Sequence, residues 1–269
     1  MATPGWVPAM TAERWRSVGV SAAGVVTTVV LWWVAAELFF TPKQVPTPGA
    51  VLDKAVDRGF DYYREIFSIT LKEAATGYAY GVGIALALAV LVLLVPFLEP
   101  LIMQFAVITY CLPIIVLAPI LIIIHDIPAK GESSPTAVDL AAVSVVFTTV
   151  VGAIMSLRAA DRSSLDLITV YGGGAWQQFR RVRLVSSLPG LFTTLQIAAP
   201  AAFLGALLGE WFDKHMEIGV GPSLYLSMNN RETELAWTLG FGCAIVSGVA
   251  YLVLGLLGRA VTPWSRGAS

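Results

Sequence analysis

Glycines and arginines that could hold a phosphate group are concentrated in one polar stretch, residues 158–188, here called the polar loop. Three glycines follow one another at Gly172–Gly174, and five arginines lie around them: Arg158, Arg162, Arg180, Arg181 and Arg183. A nucleotide-hydrolysing phosphate loop also needs a Gly-Lys-Ser/Thr ending, whose lysine and hydroxyl contact the phosphates and Mg²⁺. No such ending follows Gly174. The glycines therefore predict a tight turn, and we expect any ATP hydrolysis to occur in a separate subunit.

Two short amphipathic segments flank the glycines. Before the turn, three residues recur at a spacing of three and share a helical face: Leu165, Ile168 and Tyr171. After it, a second short helix separates apolar residues from arginines: Trp176, Phe179 and Val182 against Arg180, Arg181 and Arg183. The arginines alone could bind anionic lipid. However, exposed aromatic residues cost free energy unless a partner covers them, which favours docking on another protein through Trp176 and Phe179.

The composition places the chain in a membrane. Of its 269 residues, 57% are hydrophobic and 13% are charged, whereas soluble domains carry about a quarter charged residues. Six apolar runs approach or exceed the length needed to cross a bilayer: residues 18–40, 74–98, 101–124, 140–157, 188–212 and 236–257. The prediction is an all-α membrane protein with about six transmembrane helices. Two cysteines and two histidines are too few for a metal cluster, and nothing in the sequence indicates nucleic-acid binding.

The domain boundaries follow from these runs. Residues 1–17 form a polar lead, residues 18–257 a transmembrane domain, and residues 258–269 a tail. A signal peptide is the competing interpretation of the first run, but signal peptides have hydrophobic regions of about 7–15 residues. The run at 18–40 is longer and predicts an anchor. The connector at 41–68 has alternating charges at helical spacings, which indicates a surface helix, either solvated or in contact with a binding protein.

Several residues inside the apolar runs could line a pathway. Prolines kink a helix, and such breaks often line the path of a transporter, although they could equally serve packing. Glu210, which ends the fifth run beside Trp211, could lie at an outer gate. The predicted pathway residues are Tyr110, Pro113, Pro119, Gln196, Pro200 and Glu210. Gly77, Gly81 and Gly83 give the second run a small-residue side that predicts close helix contact; the fifth run carries Gly205 and Gly209 four residues apart.

The polar loop resembles the cytoplasmic coupling loop of the inner-membrane permeases of ABC importers. That family's pattern is Glu-Ala-Ala, three residues, Gly, nine residues, Ile-x-Leu-Pro. Here it falls on Asp166-Leu167-Ile168, Gly172 and Val182-Arg183-Leu184-Val185, so that the glycine and Leu184 match. The run GGGAWQQFRRVRL with the following Leu188-Pro189 resembles the sulfonate, taurine and nitrate branch. So do Val45-Pro46-Thr47-Pro48 and the two Pro motifs near residues 113 and 119.

The resemblance covers roughly residues 42–257 and implies the type I ABC importer permease fold. It implies a non-catalytic transport subunit that binds no cofactor itself, with ATP and Mg²⁺ in two partner ATPase subunits. A second permease, identical or homologous, and an extracytoplasmic binding protein complete the assembly. The implied ATPase-coupling residues are Asp166, Tyr171, Gly172, Gly173, Trp176, Phe179, Arg180 and Arg181. Asp166 would cap or anchor the helix pair, and the solute would be a small anion such as a sulfonate or nitrate, or a heterocyclic acid.

Six spans place both termini on one side of the cell membrane. With the termini inside, nine of the 17 Lys and Arg residues lie inside, and five of these are in the polar loop. This distribution favours cytoplasmic termini. The alternative function, from another class, is a membrane channel or scaffold that needs no ATPase.

Overall fold

A computed structural model describes residues 8–40, 44–125, 131–213 and 215–267, and all regular secondary structure within these ranges is helical. The α-helices in chain order are α1 (Pro8–Leu38), α2 (Pro48–Leu94), α3 (Glu99–Cys111), α4 (Ile114–Ile124), α5 (Pro135–Arg158), α6 (Arg162–Val170), α7 (Ala175–Gln178), α8 (Leu184–Phe212), α9 (Val220–Asn229) and α10 (Thr233–Val261). Short 3₁₀ turns occupy Pro96–Leu98 and Pro263–Gly267, and a π-helical segment occupies Phe179–Arg183.

Within the described residues, five helices are long and apolar enough to cross a membrane, and a bent helix pair makes a sixth span if its two helices are counted together. The bent pair is α3 and α4, whose axes differ by 94° at the break around Leu112 and Pro113. Proline at this position has no backbone N–H to continue the helix. The predicted all-α membrane fold is thus confirmed, and the third apolar run forms two helices nearly at a right angle rather than one kinked helix.

The second span is longer than the sequence indicated. Two helices meet within α2 at Gly59, which has φ 75° and ψ 158°, and the later part of the predicted connector helix lies in the same helix as the second apolar run. From Phe60 onward the charged turns continue directly into the apolar turns. No glycine or proline separates them before Gly77, so nothing in the backbone ends the helix at the membrane boundary.

The fifth span also begins earlier than expected. The predicted second short helix of the polar loop is the beginning of a 38-residue run, Ala175–Phe212, in which α7 and the π-helical segment lead into α8. No glycine or proline occurs between Ala175 and Leu188, and Pro189 is accommodated within α8. A displacement of α7 is therefore transmitted along a continuous helical segment that enters the membrane.

Two compact units make up the chain. The smaller consists of Met1–Gly59 with Ser227–Thr238. Inside it, the Arg58 guanidinium lies 2.6 Å from a Glu232 carboxylate oxygen, and the Thr238 hydroxyl donates to the Val51 carbonyl at 3.2 Å. These contacts hold the short helix before Gly59 to the start of α10.

The larger unit consists of Phe60–Leu226 with Leu239–Ser269, and α5 lies at its centre. Small residues of α2 and α8 bring both helices against α5. A Cβ added at Gly77 would lie 2.5 Å from the Ala141 Cβ, and one added at Gly205 would lie 2.8 Å from the Ala141 Cα. Gly81 and Gly209 are similarly crowded, whereas Gly83 has nothing within 4 Å. The close contact predicted for the second run is confirmed at Gly77 and Gly81 and was wrong at Gly83.

Candidate functional site

The predicted glycine turn is present at the end of α6. Gly172 adopts φ 79°, a left-handed conformation that favours glycine. Its N–H donates to the Thr169 carbonyl at 2.9 Å, and the Gly173 N–H donates to the Ile168 carbonyl at 2.8 Å. These two bonds form a Schellman motif, which satisfies carbonyl groups that the helix end leaves free. The motif reverses the chain so that α7 starts at Ala175, four residues after Tyr171.

The three glycines serve different purposes. Gly172 provides the positive φ, and Gly173 provides space, because an added Cβ would lie 2.5 Å from the Ile168 side chain and 2.6 Å from the Gln177 amide oxygen. Gly174 precedes α7 with φ −86° and has nothing within 4 Å. Gly172 and Gly173 therefore determine the turn, and Gly174 can change at little cost.

A glutamine that sequence reasoning missed closes the hairpin. The Gln178 side-chain amide donates to the Thr169 hydroxyl at 2.8 Å and to the Leu165 carbonyl at 3.3 Å. These bonds join α7 to the middle of α6 across the turn. A single glutamine in a polar loop gives no signal of this kind, because its partners depend on the direction in which the turn returns.

Asp161, rather than Asp166, caps α6. Its carboxylate accepts hydrogen bonds from the Ser163 hydroxyl and from the Ser164 N–H, the latter at 3.2 Å. These two hydrogen bonds hold the pKa of Asp161 below its ordinary value, and the one from the Ser163 hydroxyl contributes most. The predicted cap was wrong because Asp166 lies inside α6, with its side chain exposed and no polar partner among the described residues. Cap position depends on where the chain leaves α5, which the family pattern does not specify.

An aromatic and cationic surface lies on the outside of this hairpin. Tyr171 is 83% exposed and Trp176 is 66% exposed. The Trp176 ring stacks on that of Phe179, with centroids 5.6 Å apart and planes 28° from parallel. Arg180 and Arg181, which follow directly, are exposed. These five predicted residues of the hairpin are here called the docking surface: Tyr171, Trp176, Phe179, Arg180 and Arg181.

The base of the hairpin is tied to the spans by an ion pair. The Arg158 guanidinium donates to the two carboxylate oxygens of Glu99 at 2.7 and 2.5 Å. This two-point geometry fixes orientation as well as distance. It connects the last residue of α5 to the first residue of α3, so the segment that leads into α6 starts from a defined position.

Buried carboxyl groups occupy the opposite end of α5. Glu210 is 1% exposed; its two carboxylate oxygens accept hydrogen bonds from the Thr70 hydroxyl at 2.6 Å and from the Gly221 N–H at 2.7 Å. Nearby, the Ser134 N–H donates to the Glu73 carboxylate at 2.5 Å, and the Ser134 hydroxyl donates to Asp213 at 2.8 Å. This network joins α2, α5, α8 and the start of α9.

The network changes the interpretation of Glu210. A carboxyl group predicted at an outer gate lies instead in the interior of the chain, where it holds Gly221 beside α8. Thr70 supports the same contact, because its hydroxyl oxygen accepts the Val220 N–H at 3.0 Å. Thr70, Glu73 and Ser134 were not predicted as a group. The sequence indicated this network only through a carboxyl group in an apolar run. Its partners could not be inferred from spacing, because they lie as far as 150 residues apart.

The other predicted pathway residues occupy two separate regions. Tyr110 is 69% exposed and stacks on Phe147 of α5 with ring centroids 4.5 Å apart. Pro113 lies at the break between α3 and α4, and Pro119 lies within α4. Gln196 packs against Gly255 of α10, and Pro200 lies one turn further along α8.

Comparison with known proteins gives one family match and several relatives. Residues 79–267 match the family described as "Binding-protein-dependent transport system inner membrane component". The chain is 25% identical over 255 residues to the Riboflavin transport system permease protein RibX of Chloroflexus aurantiacus, covering 93% of this chain and 91% of the relative. It is 25% identical over 191 residues to the Formylaminopyrimidine transport permease protein ThiX of Halalkalibacterium halodurans, covering 71% and 74%.

Proposed function

Because the chain belongs to the family of binding-protein-dependent transport system inner membrane components, we propose that its docking surface is the place where a separate ATPase subunit binds and drives transport. The chain is the multi-pass, non-catalytic permease subunit of an ABC importer, a class that works with an ATPase and a binding protein. ATP and Mg²⁺ belong to the ATPase subunits in this proposal. The docking surface then lies in the cytoplasm together with both termini.

The observation that carries this proposal is the exposed aromatic pair. Trp176, with 66% of its surface exposed, stacks on Phe179 at the start of the helical segment that continues into α8. Tryptophan and arginine are the residues that most often dominate binding energy at protein interfaces. Arg180 and Arg181 lie beside the pair and can form charge-assisted hydrogen bonds with carboxylates of an ATPase.

The geometry suggests how ATP binding is converted into movement. Two permeases and two ATPase subunits form the proposed assembly, and closure of the ATPases moves the two docking surfaces toward each other. Because α7 continues into α8 through Phe179–Arg183, this displacement tilts a membrane span. The ion pair between Arg158 and Glu99 links the same end of the chain to α5 and α3. The spans would thus switch between two arrangements whose populations depend on the nucleotide.

The pathway would lie against a second permease, on the side formed by α3 and α4. Large apolar side chains are exposed there, including Phe105 at 62% and Tyr110 at 69%. Of the predicted pathway residues, Pro113 lies at the break between these two helices and Pro119 lies within α4. An identical and a homologous partner are both consistent with this surface. Gln196 and Pro200 remain proposed pathway residues on α8.

The transported solute is proposed to be a small nitrogen heterocycle. Formylaminopyrimidine and riboflavin, the compounds in the names of the two relatives, are both of this kind. Tyr110 offers an exposed aromatic ring against which a planar solute could stack. Sulfonate and nitrate, which the sequence resemblance suggested, are the competing class. Competition among labelled riboflavin, a pyrimidine, taurine and nitrate in uptake assays separates the two, and uptake of only the anions would exclude the heterocycle.

Co-purification tests the docking surface. In the assembled transporter, Trp176→Ala should weaken binding of the ATPase subunit by about thirtyfold and lower its recovery accordingly, since truncated interface tryptophans commonly cost about 2 kcal/mol or more. Phe60→Ala is the matched control, because Phe60 is also an exposed aromatic residue, at 77%, but lies outside the polar loop. Equal ATPase recovery with both variants would exclude the docking surface. If the intact chain brings down no ATPase at all, the channel or scaffold alternative is favoured.

A further inference from the structure

A cleft of about 340 Å³ lies behind the docking surface. It is bounded by the last turns of α2, by Pro96, and by α7 with the segment that follows it. Its accessible walls are largely apolar, with Val90, Leu93 and Phe179 among them. Ligand sites in proteins usually have volumes of about 300–1,000 Å³, so the cleft is large enough for a charged head group and a few methylene groups.

One positive charge in the cleft has no protein partner. Two guanidinium groups line it, those of Arg158 and Arg183. The Arg158 fork is occupied by the two Glu99 oxygens. Arg183 is half-buried, and its guanidinium makes no hydrogen bond or ion pair with any residue in the described ranges. A cationic side chain that lines a largely apolar cleft without a partner among the described residues favours an anion bound from outside the chain.

The position of the cleft indicates which anion. It lies where an apolar span ends and a polar, arginine-rich segment begins, which is the depth of lipid head groups. Basic pockets of this kind at the cytoplasmic membrane face bind phospholipid head groups. A lone phosphate would leave the apolar walls without a contact, and a carboxylate of an ATPase would first meet the exposed Arg180 and Arg181. We propose that the cleft binds one anionic phospholipid, with its phosphate on Arg183 and the upper part of an acyl chain against Val90, Leu93 and Phe179.

A lipid in this position would join α7 to the end of α2. The docking surface and the second span would then move together, and the composition of the membrane would influence coupling. This consequence depends on the function proposed above. The binding site does not, because Arg183, the walls and the cleft belong to this chain alone.

Lipid retention measures the site without any ATPase. The full chain, purified in a neutral detergent from membranes containing phosphatidylglycerol and phosphatidylcholine, is examined by native mass spectrometry for bound lipid. We expect one retained phosphatidylglycerol and about a fivefold fall in its retention in Arg183→Gln, which corresponds to about 1 kcal/mol for one arginine. Arg181→Gln is the matched control, since that guanidinium is exposed and does not line the cleft; its retention should match wild type.

A second variant keeps the proposal testable if Arg183→Gln does not fold. Ala175→Leu narrows the cleft and keeps every charge, and it should also lower phosphatidylglycerol retention severalfold. Unchanged retention in both cleft variants would overturn the proposal, and so would an equal fall in Arg181→Gln, which would indicate diffuse attraction. Normal lipid retention in Arg183→Gln with weaker ATPase binding would assign the charge to the ATPase instead. If Trp176→Ala leaves ATPase recovery intact, the docking proposal fails while the lipid result stands.

Discussion

At the scale of single residues, the polar loop depends most on Gly172. The run of three glycines predicts a turn, and the structure distinguishes them by conformation and by space. That distinction could not be made from the sequence, because all three are the same residue type. The three glycines differ because of where α6 begins and ends. Asp161 caps its first turn, and the Ile168 and Thr169 carbonyls in its last turn accept the N–H groups of Gly173 and Gly172.

Substituting Gly172 tests this assignment. Gly172→Ala places a Cβ on a residue with φ 79°, which costs about 1–2 kcal/mol for a left-handed L-residue. We expect faster hydrogen exchange of the amides of residues 171–178 and weaker ATPase recovery. Gly174→Ala is the control, because its φ is negative and nothing lies within 4 Å. Equal hydrogen exchange and equal ATPase recovery in the two variants would contradict the Schellman turn.

Asp161 gives the loop a defined response to acid. The folded-state pKa of Asp161 lies below its ordinary value, so its ionised form stabilises the cap, and this contribution is complete above the ordinary value. It is lost only as the pH falls through the lowered pKa. Hydrogen exchange of the first α6 amides should therefore show no cap-dependent change from neutral pH down to that range. Asp161→Asn, which can still cap, should show protection with no acid transition, whereas Asp161→Ala should lose protection at every pH.

At the scale of elements, the existence of the helices could be predicted and several of their ends could not. Apolar runs near 20 residues identified the spans, and the proline at 113 identified the third as irregular. The starts of α2 and of the Ala175–Phe212 run lie well before the apolar runs. Helices continue until a glycine, a proline or a cap ends them, so hydropathy alone placed these boundaries too close to the membrane.

Close helix packing around α5 can be tested with two glycines. Gly205→Leu forces a side chain onto Leu140 and Ala141, whose backbone atoms lie within 3 Å of an added Cβ. Overpacking of this kind costs about 1–3 kcal/mol or more, so the transition midpoint in detergent should fall by several degrees. Gly83→Leu serves as the control, since Gly83 faces open space. A comparable loss in both variants would mean that the contact between α5 and α8 is looser than described.

At the scale of the whole molecule, α5 separates two kinds of site. Its 24 residues span about 36 Å at about 1.5 Å per residue. The polar loop follows one end, and the buried network of Glu73, Glu210 and Asp213 lies at the other. The family could be inferred from the loop motif and the composition. The buried network and the lipid cleft could not, because both combine residues from distant parts of the chain.

We expect the docking surface, and not the far end of α5, to contact an ATPase subunit. In a chain carrying Cys111→Ser and Cys243→Ser, a photoreactive maleimide is attached either at Tyr171→Cys or at Glu132→Cys, both exposed positions. Irradiation of the ATP-hydrolysing assembly should link the ATPase subunit to the label at Tyr171→Cys only. A link from Glu132→Cys, or none from Tyr171→Cys in an active assembly, would contradict the account.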